Sequence, residues 1–500
     1  MIHVNMPPDT PTDAATLVDA LRRQWRAELI ETHISWVLLT PAFAFKIKKP
    51  VHFSFVDFST LDLRRQACDE ELRLNRRLAP TLYLEVVEIR GTSDDPQVGG
   101  PGPLLEVAVK MRRFAPDALF SEQLARGTLT PQHLDRLARR IAAFHRDAPR
   151  AEVVTPYGSA AAIEQAVGRA YAAVEAAAPE LRAWLQAQSD ALRPLWAARR
   201  DAGWVRECHG DLHLANVVLL GDDATAFDCI EFDPALRWID VASDIAFLVM
   251  DLLAHGRRDL AFRFLNAWLE DSGDVGGLAP LRYYLVYRAL VRAQVGLLRQ
   301  APGPDYLALA RQLAAPGDPR LLITHGLPGS GKSFVSQQLL ESVGAIRIRS
   351  DVERKRLFGL APLEASPGQD IYAAAATQRT YESLRSLARS SLHAGWPTIV
   401  DAAFLRRDER EQFRALADEL KLPFAILDCD APLALLRERV RAREERRDDA
   451  SEAGVAVLEQ LNALREPLSD AERAQAIRVD TRQTLAPSTL AADWLSRRLD

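Results

Sequence analysis

The chain of 500 residues is poor in cysteine and in lysine. Its four cysteines (Cys68, Cys208, Cys229 and Cys429) lie far apart and form no C-x-x-C pair, which excludes a disulfide framework and a zinc ribbon. Only seven of the 63 basic residues are lysines, so a lysine at a motif position is less often accidental here than in an average protein.

Signals for export and for membrane insertion are also missing. The first residues, MIHVNMPPDTPT, lack the basic and apolar regions of a secretory signal, and no apolar run reaches the roughly 18 residues that cross a bilayer. The net charge of −5 argues against a surface built throughout for nucleic acid. We therefore expect a soluble cytoplasmic protein with no membrane partner, whose oligomeric state the sequence does not indicate.

The length suggests two to four domains, and the clearest join is the Pro/Gly stretch LAAPGDPR at 313–320. We predict one domain over 1–315 and a second over 320–500. The first has few strands followed mostly by helices, the α+β arrangement of a two-lobed domain. Its expected elements are a helix over 14–31, strands in WVLL and FAFKIKK, a helix capped by Ser59 or Thr60, strands over 82–89 and 104–114, helices over 119–203, a strand in ATAFDCIEF, and helices over 235–313.

The second part alternates strands with helices, which is typical of βαβ units and predicts an α/β domain with a parallel sheet. The expected strands are RLLITHG, GAIRIRS, WPTIVDA, PFAILDC and IRVDT.

A phosphate-binding motif follows the first of these strands. GLPGSGKS at 326–333 fits G-x-x-x-x-G-K-[ST] and precedes a predicted helix. Glycines let backbone N–H groups turn towards phosphates, the lysine reaches the β- and γ-phosphates, and the serine binds Mg²⁺. The predicted nucleotide-binding residues are Gly326, Pro328, Gly329, Ser330, Gly331, Lys332, Ser333 and Phe334.

Carboxylates end the next two strands, where an open α/β sheet forms its ligand crevice. Asp351 could deprotonate an acceptor hydroxyl, although Ser350 or Asp351 could instead cap a helix; Asp401 suits a magnesium-holding role. Later, Arg439 and Arg443 lie one helical turn apart, as in a lid whose arginines stabilise a transferring phosphoryl group, or on a solvated helix.

The segment 320–500 resembles the AAA_33-type P-loop kinases, which are related to polynucleotide 5′-kinases and gluconate kinases. The resemblance rests on the P-loop, RSDVERKRLFG, VDAAF and the DDAS segment. It implies that Asp351 is the general base and that Arg354 helps to hold the reactive groups.

A second constellation lies in HGDLHLANVVLL at 209–220. Asp211 and Asn216 have the spacing of a kinase catalytic loop, in which the aspartate orients the acceptor hydroxyl and the asparagine holds Mg²⁺. Asp228 follows a predicted strand, as a second metal-binding aspartate should. A zinc site at Cys208, His209 and His213 is the alternative, without a convincing second ligand pair.

A kinase site also needs a lysine on a strand and a glutamate on the next helix. VAVK at 107–110 fits the lysine motif, but chain order favours Lys46, with Lys48 second, because FAFK precedes the helix that carries Glu70 and Glu71. We expect Glu71 to be the partner. A basic sheet edge is the alternative explanation.

Residues 30–300 resemble the aminoglycoside-phosphotransferase and choline-kinase-like branch of the kinase fold. HGDLHLAN and RWIDVASDIAFL, with Asp240 and Asp244, carry the similarity. The whole chain resembles a bacterial fusion of an aminoglycoside-phosphotransferase-like domain with an AAA_33 ATP-binding domain. The chain departs from the kinase pattern in one respect, because no G-x-G-x-x-G precedes Lys46.

Three functions fit these patterns. The favoured one is an ATP- and Mg²⁺-dependent phosphotransferase with two kinase-type sites, acting on hydroxyl groups of a small molecule. The second is a P-loop enzyme regulated by a ligand-sensing N-terminal half. The third is a kinase for a nucleoside or nucleic-acid 5′-hydroxyl, with nucleic acid the less favoured partner. The sequence does not separate ATP from GTP.

Overall fold

The structure, a computed structural model, describes residues 12–53, 56–299, 303–366, 370–446, 449–483 and 486–498. It divides into two compact units. The first contains the chain up to His133, Asp147–Ala162 and Ala197–Asp244; the second contains Leu134–Arg146, Ile163–Trp196 and the chain from Ile245 onward. Because a compact unit reflects packing and not chain continuity, the domain join at 313–320 stays a prediction.

The elements up to residue 254 include those of the first unit, together with the helical segments 134–146, 163–196 and 245–254 of the second unit. In chain order they are α1 (Thr12–Trp25), β1 (Glu28–Glu31), β2 (Ser35–Leu39), β3 (Phe43–Lys48), β4 (His52–Phe53), β5 (Val56–Asp57), α2 (Leu61–Asn75), β6 (Tyr83–Gly91), β7 (Pro96–Val98), β8 (Leu104–Arg112), α3 (Phe120–Ala125), α4 (Pro131–Asp147), α5 (Ala160–Ala172), α6 (Leu181–Asp201), β9 (Val205–Glu207), β10 (Val217–Leu220), β11 (Asp223–Ala226), α7 (Pro234–Arg237), β12 (Trp238–Asp240) and α8 (Val241–Ala254).

A six-stranded antiparallel sheet of order β1-β2-β3-β8-β6-β7 dominates this unit. Alternation along β3 sends Phe45 and Ile47 into a core with Leu21 of α1. Lys46 and Lys48 therefore lie on the opposite face, where both contact α2. Two basic residues of one strand are thus directed at one helix.

The helix predicted over 14–31 ends earlier than expected. It stops at Trp25, and Arg26 adopts a left-handed φ of 50°. Glu28–Glu31 instead pair with β2, since pairing satisfies the backbone groups of both strands. Helix α2 is confirmed, with Thr60 as its N-cap. The predicted ATAFDCIEF strand is shorter than expected and ends at Ala226.

The elements from residue 258 onward belong to the second unit. They are α9 (Arg258–Ser272), α10 (Leu278–Arg299), α11 (Tyr306–Ala314), β13 (Leu321–His325), α12 (Lys332–Val343), β14 (Ile346–Arg349), α13 (Ser350–Leu357), α14 (Ala374–His393), β15 (Thr398–Asp401), α15 (Arg407–Leu420), β16 (Phe424–Asp430), α16 (Leu433–Arg446), α17 (Val455–Leu464), α18 (Asp470–Gln475), β17 (Ala476–Asp480) and α19 (Pro487–Ser496).

Five strands of this unit form a parallel sheet of order β14-β15-β13-β16-β17, which confirms all five predicted strands. Strand β13 is buried along its whole length, as a central strand covered on both faces must be. Its core contacts come from α14 and α15, through Leu384 and Phe413. The carboxyl ends of β13, β14 and β15 consequently meet at one edge.

Among the described residues, no helix is both long enough and apolar enough to span a bilayer.

Phe404 provides a test of the core beneath this edge. It is fully buried three residues after the end of β15, with its ring 5.3 Å from that of Tyr381 and 4.9 Å from that of Phe413. We expect Phe404→Ala to lower the free energy of unfolding by ~3–5 kcal/mol, because it removes a buried ring and leaves a cavity. Urea unfolding followed by circular dichroism measures this loss. The exposed Leu464 is the control, and Leu464→Ala should change stability by less than ~0.5 kcal/mol. Equal losses would contradict this assignment of the core.

Candidate functional sites

The loop between β13 and α12 has a backbone that requires glycine. Gly326 adopts a φ of 142°, and a Cβ there would lie 2.4 Å from the Cys429 carbonyl oxygen. Gly331, with a φ of 87°, is the N-cap of α12. These positions let the loop turn tightly into the helix N-terminus, where unpaired N–H groups favour an anion.

Ser330 lies in this loop, and Lys332 is the first residue of α12. The Lys332 ammonium donates to the carbonyl oxygens of Gly326 (2.8 Å) and Leu327 (2.9 Å). Burial lowers the pKa of Lys332, while Asp401 and Asp351 act in the opposite direction. The buried Ser330 hydroxyl has no hydrogen-bond partner within the described chain. A buried orphan hydroxyl beside a lysine and a helix N-terminus fits a phosphate group.

Asp401 and Asp351 lie at the carboxyl edge of the sheet, as predicted. Asp401 is buried and accepts long hydrogen bonds from Thr324 (3.4 Å) and Ser336 (3.5 Å). Asp351 lies in the first turn of α13 and has no hydrogen-bond or ion-pair partner among the described residues. The helix-cap alternative is wrong, because Arg349 occupies the N-cap position and no side chain caps the helix.

The arginines predicted for this site donate hydrogen bonds to different parts of the second unit. Arg354 is buried and donates to the Ile371 carbonyl at 2.8 Å and to the Thr377 hydroxyl at 3.1 Å. These hydrogen bonds connect α13 to the start of α14. Arg443 donates to the Ala453 carbonyl at 2.6 Å. Arg439, one turn earlier on α16, donates to the carbonyl of Gly329 at 3.2 Å. Arg439 therefore contacts the P-loop directly, and the catalytic roles of Arg354 and Arg443 stay predictions.

In the first unit, Lys46 lies between two carboxylates. Its ammonium is 2.9 Å from Glu71 Oε1 on α2 and 2.6 Å from Asp228 Oδ1. Burial opposes the charge, but Asp228 and Glu71 raise the pKa of Lys46 well above its usual value. The expected ion pair between Lys46 and Glu71 is present, and Lys46 forms a second ion pair with Asp228. Lys110 instead pairs with Glu85 at 2.8 Å.

A second lysine shares the same helix carboxylate. Lys48 is fully buried, and its ammonium contacts Glu71 Oε2 and Glu231. Burial favours the neutral acid, yet Lys46 and Lys48 together lower the pKa of Glu71 to about 2. Sequence reasoning did not assign Glu231 to this site. No local spacing marks it, because Glu231 lies 183 residues along the chain from Lys48.

The loop that carries Asp211 is fixed by hydrogen bonds from one of its own side chains and from Asp244 on α8. Asn216 donates its amide to Asp211 Oδ2 at 2.9 Å and to the Asp211 carbonyl at 3.0 Å. Asp244, in the first turn of α8, accepts the backbone N–H groups of His209 (3.1 Å) and Gly210 (2.8 Å). The predicted pair Asp211 and Asn216 is therefore in direct contact, on a loop fixed by a buried carboxylate.

His209 ties this loop to the segment before Asp228. Its Nδ1 accepts from the Asp211 N–H at 3.3 Å, and its Nε2 lies 2.9 Å from the Phe227 carbonyl. Burial lowers the pKa of His209, which favours the neutral ring. With both ring nitrogens engaged by backbone groups, His209 is unsuited to the alternative zinc site.

Asp228 itself has an unusual backbone. Its φ is 63°, a left-handed conformation that is strained for most residues other than glycine, and its N–H donates to the Tyr83 hydroxyl at 3.1 Å. Such strain is retained where surrounding contacts impose it. Here those contacts direct the carboxylate at Lys46.

The comparisons with known proteins agree with this geometry in the second unit. Residues 321–468 match the AAA_33 family, described as an AAA domain, which confirms the predicted resemblance over that range. The chain is 30% identical over 448 residues to Uncharacterized protein Rv2004c of Mycobacterium tuberculosis (strain ATCC 25618 / H37Rv), covering 86% of this chain and 88% of that protein. Uncharacterized protein Mb2027c of Mycobacterium bovis matches equally. The chain belongs to the family of these mycobacterial proteins.

Solved structures resemble parts of this family member more distantly. A choline/ethanolamine kinase family protein from Mesorhizobium loti matches with a TM-score of 0.30 and 13% identity, over 60% of this chain and 92% of that chain. A sugar kinase from Janibacter sp. HTCC2649 matches with a TM-score of 0.26 and 21% identity, over 35% of this chain and 94% of that chain. Likenesses of this degree carry no argument about function.

The shared carboxylate predicts an acid sensitivity. Because the pKa of Glu71 is about 2 in the folded protein against its usual 4.5, its stabilisation is complete above pH ~4.5 and is lost as the pH falls towards 2. We expect the stability difference between wild type and Glu71→Gln to narrow by ~2 kcal/mol between pH 7 and pH 3 in urea unfolding. The control Glu85→Gln, which alters an exposed ion pair, should show a difference below ~1 kcal/mol at both pH values. A Glu71→Gln difference that stays constant would contradict the charge network.

Proposed function

We propose that the chain is an ATP- and Mg²⁺-dependent phosphotransferase with two kinase-type sites that act on hydroxyl groups of a small molecule. One site is formed by the P-loop at 326–333 with Asp351 and Asp401. The other is formed by Lys46, Glu71 and Asp228 with the loop that carries Asp211 and Asn216.

One observation carries this proposal: each unit brings a lysine and carboxylates of the kind that hold Mg²⁺ to one site. In the first unit these are Lys46 with Asp228 and Glu71. In the second, Asp401 ends β15 and Asp351 follows the adjacent β14, at the edge of the sheet where the P-loop leads into Lys332 at the start of α12. Phosphoryl transfer requires positive charge at the phosphates and oxygen ligands for the metal, and little covalent chemistry from the protein.

At the P-loop site, backbone N–H groups and Lys332 hold the phosphates of the nucleotide. Ser333 and Asp401 would hold Mg²⁺, which neutralises charge on the phosphates when bound. Asp351 has no hydrogen-bond or ion-pair partner among the residues that the structure describes, so its carboxylate is placed to accept the proton of an acceptor hydroxyl as that hydroxyl attacks the γ-phosphate. Arg439, which contacts the P-loop, and Arg443 on the same helix supply positive charge beside the phosphates.

At the first site, Lys46 orients the phosphates and is itself oriented by Glu71. Asn216 and Asp228 would hold the metal there. Asp211 accepts the proton of the second acceptor hydroxyl, and Asn216 and His213 (3.4 Å from Asp211 Oδ2) restrict its carboxylate. Oriented groups of this kind lower the entropic cost of bringing the acceptor to the phosphate.

A second function is favoured by the strand connections that precede Lys46, because neither residues 32–34, between β1 and β2, nor residues 40–42, between β2 and β3, include a glycine. Strands β2 and β3 are joined only by Thr40, Pro41 and Ala42, and Thr40 closes the turn by donating its N–H to the Phe43 carbonyl at 2.8 Å. This tight hairpin has no glycine-rich loop. The alternative is that the first unit senses a nucleotide or ligand while the P-loop site phosphorylates a nucleoside or nucleic-acid 5′-hydroxyl.

Single substitutions separate these functions. We expect Lys332→Ala and Asp228→Asn each to abolish a distinct part of Mg²⁺-dependent ADP formation from ATP, by at least ~100-fold for the affected site, because Lys332→Ala removes positive charge at the phosphates and Asp228→Asn removes a proposed metal-binding carboxylate. A coupled assay over a panel of hydroxyl compounds measures this. Lys421→Asn, which removes an exposed lysine of the second unit, is the control and should be unchanged.

Loss of activity with Lys332→Ala alone, with Asp228→Asn at the wild-type level, would contradict the two-site proposal and support a sensing role for the first unit. Activity on a short oligonucleotide that falls steeply with salt would support a nucleic-acid acceptor. Unchanged ADP formation in both variants would contradict both site assignments.

A further inference from the structure

Helix α9 completes the outer edge of the parallel sheet. Strand β14 is an edge strand, and Asn266 pairs with it as a neighbouring strand would. The Asn266 side chain accepts the N–H of Arg347 at 2.7 Å and donates to the Ala345 carbonyl at 2.9 Å. These bonds satisfy backbone groups that would otherwise be left without partners at a buried edge.

One turn further along α9, Glu270 divides its carboxylate between two arginines of β14. Its Oε1 accepts from Arg347 at 3.0 Å and its Oε2 accepts from Arg349 at 3.4 Å. Arg347 and Arg349 are two residues apart on one strand, so both face the helix. One carboxylate thus compensates two cations, each largely buried.

Both arginines also contact residues around the P-loop site. Arg347 donates to the Ser333 carbonyl at 3.0 Å and to the Ser336 hydroxyl at 3.3 Å. Arg349 donates to Asp449 at 2.9 Å, and its Nε is 3.9 Å from Asp401 Oδ2. The residues that would hold Mg²⁺ are therefore in contact with the two cations that Glu270 restrains.

The balance of charge at Asp401 depends on this restraint. Arg349 has only 12% of its side chain exposed, and each of its three nitrogens faces a different carboxylate. If Glu270 lost its charge, the guanidinium would be compensated more by Asp401 and would compete with a divalent cation there. Replacing Glu270 by a neutral residue would therefore weaken metal binding at Asp401 without removing any group of the P-loop.

We propose that Glu270 is a positioning residue for the P-loop site, holding Arg347 and Arg349 so that Asp401 stays available to Mg²⁺. This inference rests on the proposed function of the P-loop. It makes metal-dependent nucleotide binding depend on a helix that precedes the AAA segment 321–468 in the chain.

The test uses the full chain and a matched pair of variants. Glu270→Gln removes the shared charge, whereas Glu341→Gln alters the other ion pair of α9 with this region, in which Arg263 contacts Glu341 on α12 at 2.8 Å. Binding of the non-hydrolysable analogue AMPPNP is followed by calorimetry over a range of Mg²⁺ concentrations. The P-loop site is the one that Lys332→Ala removes.

We expect Glu270→Gln to raise the Mg²⁺ concentration for half-maximal binding by about tenfold, equivalent to ~1.4 kcal/mol, with AMPPNP affinity in EDTA unchanged or tighter. Glu341→Gln should leave both quantities within about twofold of wild type. Glu270→Asp, which keeps the charge, should restore most of the Mg²⁺ dependence. A merely structural role would weaken binding equally with and without Mg²⁺.

If Glu270→Gln does not fold, the double variant E270Q/R349M removes both partners and should bind Mg²⁺·AMPPNP with a wild-type or lower Mg²⁺ requirement. A raised Mg²⁺ requirement in this double variant would overturn the proposal. So would an unchanged requirement in folded Glu270→Gln, or equal shifts in Glu270→Gln and Glu341→Gln. A wild-type protein without an AMPPNP site sensitive to Lys332→Ala would overturn the proposed function and this inference with it.

Discussion

A charged group taken out of water must be compensated, and beside both sites of this protein one shared carboxylate contributes to that compensation for a pair of basic residues. The same solution occurs in each unit. On β3, Lys46 and Lys48 share Glu71 of α2, and on β14, Arg347 and Arg349 share Glu270 of α9. In both cases two basic residues lie two positions apart on a strand, so the alternation of the strand directs both at one helix.

This arrangement places charge where phosphate chemistry needs it. A carboxylate with two cations leaves one positive charge in excess, and further acidic groups therefore lie close to these cations. In the first unit Glu231 contacts Lys48, and Asp228 adopts a left-handed backbone and contacts Lys46. In the second unit Asp449 contacts Arg349, with Asp401 farther away at 3.9 Å. The proposed metal ligands Asp228 and Asp401 are thus the outermost members of two compensated networks.

Local patterns predicted much of the architecture. The five parallel strands, the Thr60 cap and the P-loop between β13 and α12 depend on strand periodicity, capping chemistry and glycine, all of which are visible in short windows of sequence. The contact of Lys46 with Glu71 followed from chain order, because a lysine strand precedes a glutamate helix. The roles of these residues in phosphoryl transfer stay predictions.

The sequence did not predict features that depend on distant partners. The helix expected over 14–31 ends at Trp25 because a neighbouring strand offers Glu28–Glu31 better hydrogen bonding than a helix turn. Glu231 and Glu270 lie far along the chain from the cations that they compensate, so no local spacing marks them. Which of Arg439 and Arg443 contacts the P-loop depends on the fold around α16, in which Arg439 donates to the carbonyl of Gly329.

The stoichiometry of nucleotide binding tests the central claim most directly. Equilibrium dialysis of the wild-type chain with radiolabelled AMPPNP and saturating Mg²⁺ counts the nucleotides bound per chain. Two charge-compensated sites predict two nucleotides per chain at saturation. One nucleotide per chain would contradict the claim that both networks form kinase-type sites, and none would contradict the nucleotide assignment of the P-loop as well.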